Sequence, residues 1–104
     1  MAKAVGIIEV FGLTAAFVAA DAGCKAANVT LERFDKNKPA KAETLPVPLL
    51  VTVKFRGSIP DVQAAVEAAK EAAKTITDVV SEYIIPNPEE GTEKMLHLSG
   101  LDKN

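Results

Sequence analysis

The chain has 104 residues, 48% of them hydrophobic and 25% charged, with a formal net charge of -2. That length holds one domain with one core, and the composition is that of a folded chain, not a disordered one. The slight negative balance argues against a general nucleic-acid binder, the single cysteine excludes an intrachain disulfide, and no apolar run is long enough to span a membrane.

Met1-Ala2-Lys3 has the basic start of a leader, but Glu9 interrupts the apolar run behind it, so no signal peptide is expected. Residues 4–11, AVGIIEVF, make a strand pattern apolar on both faces apart from Glu9, and such a strand wants cover on both sides. Gly12 turns the chain into an alanine-rich helix expected over 12–28. Leu13, Phe17, Ala20, Cys24 and Ala27 recur there at helical spacing and predict its buried stripe. Asp21 and Lys25 pair on the polar face, and Asn28 suits the helix end.

Residues 29–34, VTLERF, alternate as a second strand, with Val29, Leu31 and Arg33 on one side and Thr30, Glu32 and Phe34 on the other. Residues 35–48 carry three prolines and three lysines without periodicity, which predicts an extended loop, long for a connection inside a compact domain. Leu49–Phe55 is the clearest strand, with Leu49, Val51, Val53 and Phe55 on one face and Leu50, Thr52 and Lys54 on the other. Ser58 as N-cap, Pro60 in the first turn and Asp61 three residues on open a second helix. Its stripe is Val62, Val66, Ala69, Ala73 and Ile76. Val79–Ile85 is a fourth strand, stopped by Pro86 and Pro88. A helical turn is expected around Glu93–Leu96, with Met95 and Leu96 returning to the core, and 99–104 should be a frayed tail.

The order strand, helix, strand, loop, strand, helix, strand describes a single α+β domain over 1–104. It is a ferredoxin-like β-α-β-β-α-β sandwich, with a four-stranded antiparallel sheet and both helices on one face. The other sheet face would be open to water. Its apolar residues predict that something else, most economically another subunit, covers part of that face or its edges.

Catalytic chemistry is sparse. His97 is read as an exposed residue without a positioned partner, and Cys24 as a buried structural thiol on the apolar stripe. Glu9 is read as satisfied by backbone or by a neighbouring subunit. There is no phosphate-binding loop, dinucleotide fingerprint or clustered metal-ligand set, so no catalytic residue, metal or cofactor is assigned. Phe11 and Phe55 are read as core residues, which argues against an RNA-binding sheet.

The runs GIIEVFG at 6–12, LTAAFVAADAGCKAANVTL at 13–31, VTVKFRG at 51–57, VQAAVEAA at 62–69 and VVSEYIIPNP at 79–88 resemble the single-domain shell proteins of bacterial microcompartments. The resemblance implies a cyclic homohexamer that tiles, with other shell proteins, into a layer around enzymes in the bacterial cytoplasm. It implies no catalysis and no membrane. The loop after the second strand would surround a central pore able to pass small metabolites, which places Lys36, Asn37, Lys38, Pro39, Ala40 and Lys41 in the pore region. Lys25, Asn28 and Asn87 would lie at the hexamer edge, Lys25 against its symmetry mate in the next hexamer.

Two departures stand out. Pro86-Asn87-Pro88-Glu89 replaces the arginine-proline-histidine run of many relatives, and a long loop replaces their short glycine-rich one. No cysteine lies in that loop, which does not support an iron–sulfur cluster there. Its three lysines outnumber Asp35 and Glu43, which predicts that anions are favoured over cations. Two other readings fit less of the chain. One is an oligomeric ferredoxin-like module holding a small anionic ligand on those lysines. The other is an enzyme assembled between subunits from Glu9, His97 and Cys24.

Overall fold

The strand at the middle of the sheet is β1, Ala4–Phe11, in a computed structural model that describes residues 3–97. The chain continues through α1 (Leu13–Ala26), β2 (Thr30–Leu31), β3 (Asp35–Asn37), a 3-10 turn (Ala42–Thr44), β4 (Leu50–Gly57), α2 (Ile59–Ala73), β5 (Val79–Ile85) and α3 (Glu90–Leu96). The sheet runs β2–β4–β1–β5 with every pairing antiparallel, and β3 also pairs with β4. Helices α1 and α2 lie together on one face, as expected for the β-α-β-β-α-β sandwich. The expected tail at 99–104 lies outside the described residues.

Gly12 makes the turn from β1 into α1. Its φ of 89° lies in the region that only glycine enters without strain, and its N–H donates to the Leu49 carbonyl at 2.8 Å. Behind it α1 buries Ala15, Ala16, Ala19, Ala20 and Gly23. The predicted stripe is therefore only partly right: Ala20 is buried and Ala27 packs on the core, but Leu13, Phe17 and Cys24 point outward and further methyl-sized side chains point in. Close approach is the cause. A Cβ at Gly23 would lie 2.5 Å from Cε1 of Phe55 and 3.1 Å from the Ala65 carbonyl oxygen, so no larger residue fits between α1, α2 and β4. The helix also ends two residues early, with Ala27 as C-cap, and Asn28 is exposed beyond it.

Helix α2 follows its sequence signals more closely. The Ser58 side chain caps it by accepting from the Asp61 N–H at 3.2 Å, with Pro60 in the first turn. Val62, Ala65, Val66, Ala69 and Ala73 are buried, whereas Ile76 lies past the helix and is exposed.

The second strand departs most from its pattern. Thr30 and Leu31 pair with Arg56 and Phe55, and the Glu32 N–H donates to the Lys54 carbonyl at 2.8 Å. When pairing resumes, Asp35 faces Thr52, so the register has advanced by one residue. This is a β-bulge, with two residues of the outer strand set against Val53. Glu32 and Phe34 consequently face opposite sides of the sheet, not the same side as strict alternation predicted. Phe34 turns to the helix layer, its ring 5.2 Å from that of Phe17. The supposed loop 35–48 thus begins as strand β3 and is rooted again by the buried Ala42 of the 3-10 turn.

Candidate functional site

On the sheet face opposite α1 and α2, β4 presents Thr52, Lys54 and Arg56, because alternate residues Val51, Val53 and Phe55 pack toward the helices. Helix α3 lies across this face. It covers part of the side expected to be open with a segment of the same chain. Leu96 is buried as predicted, but Met95 is 65% exposed, since a seven-residue helix lying on a sheet has only one inward side.

Lys54 is 2% exposed. Its ammonium donates to Asp35 Oδ2 at 2.9 Å and to the Leu96 carbonyl at 2.8 Å. Arg56, also buried, donates through Nη2 to Glu93 Oε2 and has Nε 3.7 Å from Glu32 Oε1. His97 caps α3 and places Nδ1 3.5 Å from Glu32 Oε2. Each cation therefore has one anionic partner on the bulged outer strand and one acceptor on α3. The bulge makes this possible. Glu32 and Asp35 are three apart and would face opposite sides of a regular strand, but the extra residue brings both carboxylates to the α3 face. Arg56 Nη1 stays buried without a hydrogen-bond partner among the described residues, a cost of about 1–3 kcal/mol that its other contacts must offset.

The pore-region residues lie on or just beyond β3. Lys36 and Asn37 are exposed in the strand, opposite Val51 and Leu50. Lys38, Ala40 and Lys41 are exposed in the turn, and Pro39 is half-buried, its carbonyl accepting from the Ala42 N–H at 3.0 Å. Of the edge residues, Lys25 is exposed at the end of α1 and pairs with Asp21 at 2.9 Å. The hydrogen bond from Lys25 to the Asp21 carboxylate raises the lysine pKa. Asn28 donates its backbone N–H to Asp61 Oδ1 at 3.4 Å, and Asn87 is exposed between its two prolines.

Cys24 corrects the sequence reading. It is exposed, because the phase of α1 gives the inward position to Gly23. Partial burial, then the Asp21 charge, raise its thiol pKa. Glu9 is half-buried between Thr52 and Ser81 of the flanking strands, and the interfacial set of Glu9, His97 and Cys24 is not brought together within one chain. No group of three or more potential metal-ligating residues occurs among the described residues.

Sequence reasoning missed Arg56 and the paired role of Lys54. The available signal was two cations two residues apart on one side of an otherwise apolar strand.

Both sheet edges carry large exposed apolar groups. Leu31 of β2 and the 59%-exposed Phe17 of α1 lie at one edge. At the other, Val80 and the 71%-exposed Tyr83 belong to β5. A groove of about 250 Å³ runs beside Tyr83 between β5 and α2, lined by Gln63, Val66, Glu67 and Glu82. Lys70 crosses from α2 to Glu82 at 3.0 Å, and that hydrogen bond, with Glu67 nearby, raises the Lys70 pKa.

Comparison with known proteins matches residues 4–88 to the BMC domain. The chain is 39% identical over 94 residues to the bacterial microcompartment shell protein PduA of Citrobacter freundii, covering 90% of this chain and 91% of that one. It is 40% identical over 98 residues to the carboxysome shell protein CcmK2 of Synechococcus elongatus, covering 92% and 87%. A crystal structure of a microcompartment protein from Desulfitobacterium hafniense superposes with a TM-score of 0.66 at 30% identity, over 86% of this chain and 44% of that one. With the domain matched from the first strand to the proline run after the last, and relatives alike over nearly their whole length, the chain belongs to the BMC-domain family.

Proposed function

We propose that the protein is a structural tile of a bacterial microcompartment shell in the cytoplasm, acting without catalysis as a cyclic homohexamer beside other shell proteins and enclosed enzymes. The observation that carries this reading is the pair of unlike apolar edges. Phe17 and Leu31 lie by β2, Val80 and Tyr83 by β5, and among the described residues each edge strand leaves one side of its backbone unpaired. Unlike edges on one chain favour head-to-tail contacts, which close into a ring when the rotation allows. The shell proteins similar to this chain support the shell assignment. In the ring, residues 36–41 surround the central pore, and Lys36, Lys38 and Lys41 bias it toward anions. Lys25, Asn28 and Asn87 lie on the outer rim.

Native mass measurement together with electron microscopy tests this reading. Hexamers packed into flat layers are expected. Tyr83→Asp should break the ring, whereas Lys25→Ala should keep it and impair lateral packing. A stable wild-type monomer at micromolar concentration would refute the assignment, and isolated trimers holding a small anion would favour a ligand-binding module instead.

A further inference from the structure

The buried ammonium of Lys54 ties together two short segments on this face. One is the start of 35–48, reached through Asp35; the other is the end of α3, reached through the Leu96 carbonyl. We propose that Lys54 couples them, so that displacement of α3 loosens the segment beginning at Asp35, and the reverse.

The physical basis is the location of the charge. At 2% exposure the ammonium cannot exchange a lost partner for bulk water without moving. If α3 lifts, Lys54 is left buried with one fewer acceptor, and its remaining contacts must shift with it. Neither segment is stable by itself. Helix α3 has seven residues, well below the length at which an isolated helix persists, so it depends on docking. Strand β3 has three residues at a sheet edge, beyond a bulge that already interrupts the ladder. Arg56 repeats the arrangement one step along the strand, reaching Glu32 on the outer strand and Glu93 on α3. The coupling does not require residues 36–41 to rim a pore. If they do, α3 becomes a strap whose position sets how firmly that rim is held.

Hydrogen–deuterium exchange on the full chain in its native assembly tests the coupling, following residues 35–41 and α3 with α2 as internal reference. Asp35→Asn should speed exchange in α3, and Glu93→Gln should speed it in 35–37. Each cross-effect should be roughly tenfold, the size expected when one charge-assisted hydrogen bond is weakened. Placing Glu93→Gln in a Lys54→Met background should abolish its effect on 35–37 while its effect on α3, exerted through Arg56, remains. Effects confined to the substituted segment would overturn the proposal. So would a rise shared equally by α2, which would report general destabilisation.

Discussion

The two faces of this sheet are held by different physics. Toward α1 and α2 the contact is dry and close, made by alanines, valines and one glycine, with no charge among the buried residues of either helix. Toward α3 the same strand, β4, offers Lys54 and Arg56, and the layer is fixed by ion pairs and carbonyl acceptors. The first face tolerates almost no change of volume, while the second tolerates almost no change of charge. A single strand can serve both because its side chains alternate.

The largest effect should come from breaking the dry face. Gly23→Val forces branched carbons into the Phe55 ring and should destabilise the protein by about 3 kcal/mol or more, read as the shift of the urea midpoint. On the charged face the loss should follow the charge more than the volume. Lys54→Ala leaves a void and strands Asp35 and the Leu96 carbonyl, at about 3 kcal/mol, and Lys54→Met, which keeps the volume but strands the same two acceptors, should cost nearly as much, about 2–3 kcal/mol. A much smaller loss for Lys54→Met than for Lys54→Ala would mean that α3 is held by volume and not by charge.

Ser58→Ala asks whether the helix layer owes its place to packing or to local capping. A loss of about 1 kcal/mol, far below that of Gly23→Val, is expected in the same assay. The smallest effect concerns the outward side of α1. In the dissociated subunit Cys24 should accept a thiol reagent without unfolding. Its raised pKa lowers the thiolate fraction at neutral pH, so the rate should keep climbing with pH beyond the point at which an ordinary thiol levels off. A rate limited by unfolding would instead place the thiol inside.

Most of the architecture could be read from the chain because periods of two and 3.6 residues alternate in it, and because Ser58, Pro60 and Asp61 spell out a helix start. The phase of α1 could not. A stripe of Leu13, Phe17 and Cys24 and a stripe of alanines both satisfy helical spacing, and hydrophobicity alone favours the wrong one. Which apolar side is packed within the subunit depends on the distance to Phe55, a quantity no local pattern carries. The bulge was hidden for a similar reason, since Glu32-Arg33-Phe34 contains no glycine or proline to mark it. The charged face was hidden by separation: the Leu96 carbonyl lies 42 residues from the lysine that it satisfies, and a lysine two places from an arginine in a strand looks like a solvated side.

The division of labour on α1 also sets how the protein will melt. Its interior is filled mainly with small side chains, while Phe17, Tyr83, Val80 and Leu31 remain outside. Such a core leaves the lone subunit with a thin margin, and the apolar area needed to widen it is gained only on association. Folding then becomes a collective property, and the melting temperature should rise with protein concentration, because subunits bind the native chain and not the unfolded one. Dilution alone should therefore lower the melting temperature, the dissociated subunit being folded but the first to melt.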